Sequence, residues 1–496
     1  MSAGPRRARR AGRGGRRAGL LLAGAAVLAL AGLGAAAAVV EHLGLAPRAL
    51  APYVEKRSSG HNPAIVAAGA FASRTLLQLD RGEPAGPPGA AELRALALGA
   101  QPLPAGAAGS GTLVMEADGL RQALAQAQPG ETITLAPGDY RFAGRPLDAS
   151  RPGRADAPIV VRAAQPGSVR IEFAQVEGFR VSAPYWRFEN LAIRGTCGED
   201  SQCEHAFHVI GAAHHFAAVN NAVADFNAHV KINGEGGAFP DDGLLESNTL
   251  FNTHARRTAN PVVPIDLVAA SRWTIRANVI KDFVKLEGNR VSYGAFVKGG
   301  GGANVFERNL VWCEDRLRGL PGQRVGLSLG GGGTDKPFCR DGRCIVEQQG
   351  AAIRANLVAA CSDVGIYLNG AADSRVEDNT VVDTAGIDVR FATSSARLDG
   401  NLVDGPIRAR DGGLLHLGDN ETASLWPSYV GYHGVRRLFA APLDGDFSWR
   451  GGAPQRRGAG QGMALCGAGP VRAYGAFDDF NDCLRAAPDQ GKAPSA

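Results

Sequence analysis

The stretch ESNTLF at residues 246–251 places an asparagine directly before a short apolar strand, and this pattern recurs along the chain. The other instances are FENLAI (188–193), VNNAVA (219–224), RANVIK (276–281), ERNLVW (307–312), RANLVA (354–359), EDNTVV (377–382) and DGNLVD (399–404). Their asparagines are Asn190, Asn221, Asn248, Asn278, Asn309, Asn356, Asn379 and Asn401, with spacings of 31, 27, 30, 31, 47, 23 and 22 residues. A repeat of this length, made of strands and turns, indicates a solenoid.

Each repeat is too small to bury an apolar face by itself, so its coils must stack, about 4.8 Å apart. Asparagine tolerates the left-handed turn conformation and can form hydrogen bonds along the stack. We therefore predict an all-β fold, a right-handed parallel β-helix solenoid. One line of stacked side chains should contain Asn221, Asn278, Asn309, Asn356, Asn379 and Asn401.

The β-helix is predicted to occupy residues 111–410. Near its start, EADGLRQALAQAQPG (116–130) has apolar residues on one helical face, which predicts an N-terminal capping helix. These residues are Leu120, Ala123, Leu124 and Ala127. Residues 411–496 lose the repeat and are predicted to form a C-terminal cap.

The 47-residue gap between Asn309 and Asn356 is longer than one coil. Residues 314–349 are therefore predicted to contain a projecting insertion. This insertion contains GGGGTDKPFCRDGRC (330–344), a glycine run followed by two closely spaced cysteines.

The N-terminal region differs from the rest in charge. Residues 1–18 carry seven arginines and no acid, so the net charge of +5 becomes 5 − 7 = −2 for the remainder, which disfavours a nucleic-acid partner. Residues 19–40 are uncharged and long enough to span a bilayer. We predict a cytoplasmic head (1–18), a transmembrane anchor or signal (19–40) and an Ala/Pro/Gly-rich spacer (41–110).

These features predict a single-pass inner-membrane protein with a periplasmic domain, or a secreted or periplasmic protein if the apolar segment is cleaved. The protein should be a monomer. The eight cysteines agree with an oxidising compartment, since their number is even and C-x-x-C pairs are absent from the sequence. We predict the pairs Cys197–Cys203, Cys339–Cys344, Cys466–Cys483 and, on adjacent coils, Cys313–Cys361.

The start of the repeat region resembles the chondroitinase-B/alginate-lyase family of polysaccharide lyases, which have the pectin-lyase-like superfold. The resemblance lies in LRQALAQAQPGETITLAPGDYRF (120–142), ADAPIVVRAAQPGSVRIEF (155–173) and VSAPYWRFENLAIRG (181–195). It implies a lyase that cleaves an acidic, uronate-containing polysaccharide by β-elimination. The family's catalytic lysine is matched by Lys298 in GAFVKGGGGANVFERN (294–309), which the resemblance implies is the general base.

The sequence departs from this family at two places. Gly330 and Gly331 stand where the family carries an Arg-His pair, so Arg324 or Lys336 on the insertion is the candidate for the missing cation. The residues before Lys298 lack the paired glutamates of the family's Ca²⁺ site. The sequence therefore requires no cofactor, although the resemblance would allow Ca²⁺.

Other candidate residues follow from the repeat. Ile210, Lys298, Leu368 and Arg390 each precede their asparagine by 11 residues and should share one column. Arg390 would lie three coils, about 14 Å, from Lys298 and bind a neighbouring sugar. The segment HVKINGEGGAFPDD (229–242) offers further groove residues, which are Lys231, Glu235 and Asp241. The histidines of HAFHVIGAAHH (205–215) lack a metal-binding spacing, so no metal site is predicted.

Two other functions remain open. The protein could be a non-catalytic glycan-binding or envelope-structural β-helix. It could also be a glycoside hydrolase or uronate epimerase, which needs a carboxylate pair, for which the candidates are Asp241, Asp242, Asp363 and Asp388.

Overall fold

The computed structural model describes residues 31–32, 34–83, 96–101, 111–163, 165, 167–331, 333–458 and 460–485. Three long parallel sheets, here called sheets A, B and C, contain 10, 12 and 11 strands. The strands of sheet A are Leu147–Ala149, Glu177–Val181, His205–Ile210, Ala228–Asn233, Ile265–Val268, Val291–Lys298, Gln323–Leu329, Ile366–Asn369, Ile387–Arg390 and Ile407–Arg410.

Sheets B and C supply the other two sides of the solenoid. The strands of sheet B are Thr112–Val114, Thr132–Leu135, Ile159–Ala163, Trp186–Glu189, Ala217–Val219, Leu244–Glu246, Thr274–Arg276, Val305–Glu307, Ala352–Arg354, Ser374–Glu377, Ser395–Asp399 and Leu414–Leu417. Those of sheet C are Gly138–Ala143, Val169–Ala174, Ala192–Gly195, Ala222–Ala224, Thr249–Phe251, Val279–Lys281, Leu310–Trp312, Leu357–Ala359, Thr380–Val382, Leu402–Val403 and Glu421–Thr422.

Smaller elements complete the described structure. The helices are α1 (Pro47–Ser58), α2 (Pro63–Arg81) and α3 (Ala117–Gln126), with a further helical stretch at residues 34–43. A three-stranded parallel sheet contains Gly301–Gly302, Gln348–Gln349 and Ala371–Ala372. Two antiparallel pairs lie in the C-terminal region, Phe439–Ala441 with Asp446–Trp449 and Gly462–Met463 with Pro470–Val471.

Each coil visits sheets A, B and C in turn, and strands pair only in parallel with the coils before and after. Apolar side chains point inward and form one core along the axis. In the early coils this core is aromatic, with Phe179 stacked on Phe207 at 5.4 Å between ring centroids and Phe188 packed against both. The parallel β-helix predicted from the repeat is confirmed.

The predicted asparagine line is also confirmed. The side-chain Nδ2 of Asn221 donates to Oδ1 of Asn248 at 3.1 Å, and the same bond repeats in each later coil. The line runs through Asn221, Asn248, Asn278, Asn309, Asn356, Asn379 and Asn401 to Asn420. This line of side chains is called the asparagine ladder below. Asn190 lies one position outside the ladder, because Leu191 occupies the corresponding position in its coil. The side-chain oxygen of Asn190 instead accepts a hydrogen bond from the side-chain amide of Asn220.

The left-handed conformation lies one residue before the ladder, not at the asparagines themselves. Ser247, Ala277 and Arg308 have φ between 54° and 55°, and each directly precedes a ladder asparagine. The asparagine side chain can therefore point inward, while the preceding residue makes the sharp bend between sheets B and C.

Helix α3 covers the N-terminal end of the core, with Leu120, Ala123, Leu124 and Ala127 all buried. This confirms the predicted capping helix. At the other end the stacked strands continue to Thr422, beyond the predicted boundary at residue 410.

The region predicted as a spacer contains the helical hairpin α1–α2, which is fixed to the β-helix by ion pairs. Arg48 of α1 is buried and bonds to Asp80 of α2 and to Asp383 of the solenoid, at 2.8 and 2.9 Å. Residues 1–30 and 33, which include most of the predicted anchor, lie outside the described residues. Among the residues that are described, no helix has the length and apolar character needed to span a membrane.

All eight cysteines are paired as predicted, in Cys197–Cys203, Cys313–Cys361, Cys339–Cys344 and Cys466–Cys483. The Cys313–Cys361 bond joins successive coils, and its Cα atoms are 4.8 Å apart, the spacing of stacked coils. The predicted insertion leaves the solenoid in this same part of the chain. It contains the Lys336–Phe338 3₁₀ turn and the Cys339–Cys344 loop.

Candidate active-site groove on sheet A

Two parallel rows of residues follow the outer face of sheet A. The first, here called the inner row, contains Arg180, His208, Lys231, Asp266, Phe296, Ser328, Tyr367, Asp388 and Arg408. The second, the outer row, contains Ile210, Asn233, Val268, Lys298, Gly330, Asn369, Arg390 and Arg410. Together they form the floor of the candidate groove.

The predicted column is confirmed for Ile210, Lys298 and Arg390 and is wrong for Leu368. Leu368 pairs with Val389 and is fully buried in the core. The connection from sheet A to the ladder is one residue shorter in this coil, so Asn369 takes the column position instead. Arg390 lies three coils from Lys298, as expected.

Lys298 ends its strand with a half-buried side chain. Its Nζ lies 4.7 Å from the centroid of the Phe296 ring, which forms an apolar floor beneath the amine. Within the described part of the chain, Nζ has no carboxylate partner and no hydrogen bond. Most other cations of the two rows, by contrast, are paired with carboxylates.

The stem of Lys298 lies against Gly331 of the following coil. A Cβ atom on Gly331 would be only 2.6 Å from Lys298 Cδ, closer than carbon atoms can approach. Gly331 does not have a positive φ, so a side chain at this position would be limited by the space that the lysine stem occupies and not by the backbone conformation. The position where the resembled family carries Arg-His is therefore filled by the lysine stem itself.

The insertion forms a wall beside Lys298. The backbone N–H of Arg340 donates to Gly299 O, and that of Gly300 donates to Glu347 O, both at 2.8 Å. The Glu347 carboxylate accepts from the backbone N–H of Gly299 at 2.9 Å and from the Thr334 hydroxyl at 2.8 Å. The glycine run after Lys298 thus serves as the attachment site of the insertion.

Arg324 does not face the groove. It is 1% exposed, and its Nε donates to Glu314 at 2.7 Å while Nη1 donates to Pro321 O at 2.8 Å. Burial lowers the pKa of Arg324, and Glu314 also binds Arg81 of α2 at 2.9 Å. We therefore correct the expectation of a catalytic Arg324, because its donors are used inside the protein. Lys336 is exposed on the insertion.

The upstream part of the groove is a network of paired groups. Lys231 Nζ donates to Asp266 at 2.8 Å. His208 lies between Glu177 and Asn233, with 2.9 Å to a carboxylate oxygen and 2.9 Å to the amide oxygen. The hydrogen bond from His208 lowers the pKa of Glu177.

The other two predicted groove residues differ in accessibility. Glu235 is exposed and forms an ion pair with Arg180 at 3.3 Å. Asp241 is almost buried, and it accepts two hydrogen bonds from Arg340, at 2.7 and 2.9 Å, and one from Arg272 at 3.1 Å. Asp241 therefore fixes the insertion to the solenoid and has little capacity left for a ligand.

The downstream part contains two residues named from the sequence, Arg390 and Asp388, together with Tyr367, which sequence reasoning missed. Arg390 donates from Nη1 to the hydroxyl of Tyr367 at 3.3 Å and from Nε to Asp411. Asp388 is held by Arg408 and Arg410. Tyr367 could have been found from the alternation of inward and outward side chains along its strand, which places it in the inner row with Phe296. In the sequence, however, IYLN (366–369) looks like an ordinary apolar strand.

The carboxylates near Lys298 do not fit a Ca²⁺ site, because Asp241, Asp266 and Glu347 are already bonded to cations or N–H groups. Among the described residues, one group brings three metal-capable atoms within 4.8 Å: Asp341 with Cys339 and Cys344, whose sulfurs form a disulfide.

No known family model matches the chain, and no curated protein matches its sequence. Solved structures similar to it include pectate lyase Pel9A, with 15% identity, 72% of this chain and 90% of that chain covered, and a TM-score of 0.44. A PL6 family polysaccharide lyase from Pseudopedobacter saltans has 14% identity, coverages of 64% and 93%, and a TM-score of 0.32. An alginate lyase from Paenibacillus sp. str. FPU-7 has 15% identity, coverages of 62% and 97%, and a TM-score of 0.27. At these values the matches assign neither a family nor an activity to this chain.

Proposed function

We propose that this protein is a polysaccharide lyase that cleaves an acidic, uronate-containing glycan by β-elimination on the outer face of sheet A. The observation that carries the proposal is the amine of Lys298, which lies over Phe296 without a carboxylate partner among the described residues. A lysine held by its stem but left without a counterion is suited to meet a ligand group.

In this reaction the unprotonated amine of Lys298 takes the proton α to the uronate carboxylate. A carbon–carbon double bond forms as the bond to the leaving glycosidic oxygen breaks, and that oxygen needs a proton. The Phe296 ring, buried beneath the amine, supports Lys298 from below.

Downstream of Lys298 three arginines face two carboxylates, Asp388 and Asp411, and this excess of positive charge suits an acidic glycan. Downstream of Lys298 the outer row carries Arg390 and Arg410, and the inner row carries Arg408. Arg390, three coils beyond Lys298, is the candidate contact for the carboxylate of a neighbouring sugar. Lys231 and Glu235 are the candidate contacts at the other end of the same glycan.

The test is the release of unsaturated uronate, followed by ultraviolet absorbance, from alginate, pectate and glycosaminoglycans. Lys298→Met removes the amine and retains most of the side-chain volume, while Lys298→Arg retains the charge without an efficient base. Lys56→Met, on the exposed face of α1, is the matched control. Unsaturated products from wild type and control, but from neither Lys298 variant, support the proposal, and full activity of Lys298→Met contradicts it.

One observation favours a second candidate, a hydrolase. Burial raises the pKa of Asp363, whereas Asp388 is bonded to Arg408 and Arg410. Two carboxyl groups in such different environments can serve as acid and base. Reducing ends released without unsaturated product, and lost in Asp363→Asn, would favour this function over the lyase.

We also propose that the protein is exported and stays at the inner membrane through residues 19–40, as a monomer. Four disulfides agree with an oxidising compartment. Cell fractionation with and without high-salt extraction tests the location. Recovery of the intact protein in the soluble cytoplasmic fraction would contradict it.

A further inference from the structure

The elimination proposed above requires a group that protonates the leaving oxygen, and the inner row contains one phenol, that of Tyr367, a residue that is 8% exposed. Tyr367 lies in the inner row, two coils beyond Phe296 and separated from it only by Ser328. The Lys298 stem leans toward this side, since it packs against Gly331 of the intervening coil. The two side chains therefore lie on either side of the same coil.

The hydroxyl of Tyr367 has a fixed cationic partner. Arg390 Nη1 donates to the phenol oxygen at 3.3 Å, and Nε of the same guanidinium binds Asp411. The guanidinium also lies over the Phe391 ring, 4.5 Å from its centroid. A positive N–H donor held against a phenol oxygen stabilises the phenolate that remains after proton donation.

Neighbouring acids are less suited to the task. Tyr293, on the strand of Lys298, is packed beside Phe296, and burial raises its pKa to about 12. Asp388 is bonded to two arginines, which favours the form without a proton. Asp363 precedes the strand of Tyr367 and does not lie in either row.

We propose that Tyr367 is the catalytic acid of the elimination and that Arg390 is its positioning residue. This rests on the proposed lyase function. Lys298 takes the proton on the carbon α to the carboxylate, the electron pair forms the double bond, and the carbon–oxygen bond breaks. Tyr367 gives its proton to the leaving oxygen, and solvent then reprotonates the phenolate while the Lys298 ammonium loses its proton.

The experiment compares two uronide substrates that differ in leaving group, a natural sugar alcohol and an activated aryl alcohol that leaves without protonation. Tyr367→Phe should lower kcat on the natural substrate by roughly 10²–10⁴-fold, with a much smaller effect on the aryl substrate. Lys298→Met should be inactive on both. Arg390→Gln should show a weaker version of the same leaving-group dependence, and it keeps the test available if Tyr367→Phe does not fold.

The control is Tyr293→Phe, which also removes one hydroxyl from a packed tyrosine and should retain activity on both substrates. Equal losses on both substrates for Tyr367→Phe would overturn the inference, as would unchanged activity. These results leave the lyase function standing, because wild type still forms unsaturated product. If wild type forms no unsaturated product on any substrate, the lyase function and this inference fall together.

Discussion

The strands of sheet A begin and finish in opposite environments. At the entry end, where Arg324 lies, a buried network joins the solenoid to α1, α2 and the C-terminal region. At the exit end, where Lys298 lies, glycines and an insertion surround an amine without a counterion among the described residues. Both ends carry cations in neighbouring strands, so residue type alone does not distinguish a structural cation from a functional one. For these two residues the difference lies in the partner, since Arg324 has the buried Glu314 and Lys298 has no carboxylate partner among the described residues.

The largest expected effect is at the exit end. If the proposed lyase function holds, Lys298→Met should lower turnover by roughly 10²–10⁴-fold, because the proposed base is lost. The midpoint of thermal unfolding should change little, since a half-exposed lysine without a partner contributes little stability. A large loss of stability in this variant would mean that the two ends do not differ as described.

At the entry end the opposite result is expected. Arg324→Leu removes one cation from the buried Glu314 and should lower the free energy of unfolding by roughly 3 kcal/mol, measured by denaturant titration. The specific activity of the protein that remains folded should be close to that of wild type. Strong loss of turnover at unchanged stability would restore Arg324 to the catalytic site.

Gly331→Ala sharpens the comparison by moving Lys298 without removing it. The added methyl group would displace the lysine stem, and turnover should fall by up to about 10²-fold. In the Lys298→Met background the same change should cause no further loss, since both act through one amine. Gly198→Ala, where the added carbon meets open space, is the control.

The smallest effect concerns the pair Glu177–His208 near the entry end. The pKa of Glu177 is lowered in the folded state, so the pair stabilises the protein above the unfolded pKa of this carboxyl. That stability should be lost as the pH falls through the folded pKa. Glu177→Gln should therefore be less stable than wild type near neutral pH, by about 1 kcal/mol or less, and the difference should vanish in acid. A difference that persists at low pH would contradict the pairing.

The sequence predicts the ladder, the capping helix and the four disulfides because each depends on repeat register or short spacing. It misplaces Leu368 because one connection is a residue shorter, which puts Asn369 in the outer row and turns Leu368 into the core. It misjudges Arg324 because the carboxylate that buries it, Glu314, and the helix behind both are distant in sequence. Tyr367 could not be predicted as a site residue because its proposed role depends on its position relative to Phe296 and Lys298, two coils away and distant in sequence.

The asparagine ladder is a one-way chain of amides. Each side chain from Asn221 to Asn401 gives a hydrogen bond forward to the next coil and, from Asn248 on, receives one from the coil before. An internal coil can therefore be duplicated or deleted without leaving an unmatched donor or acceptor in the ladder. Gene rearrangement could change the length of the solenoid in steps of about 4.8 Å, and with it the length of the groove on sheet A, while the surroundings of Lys298 stay intact.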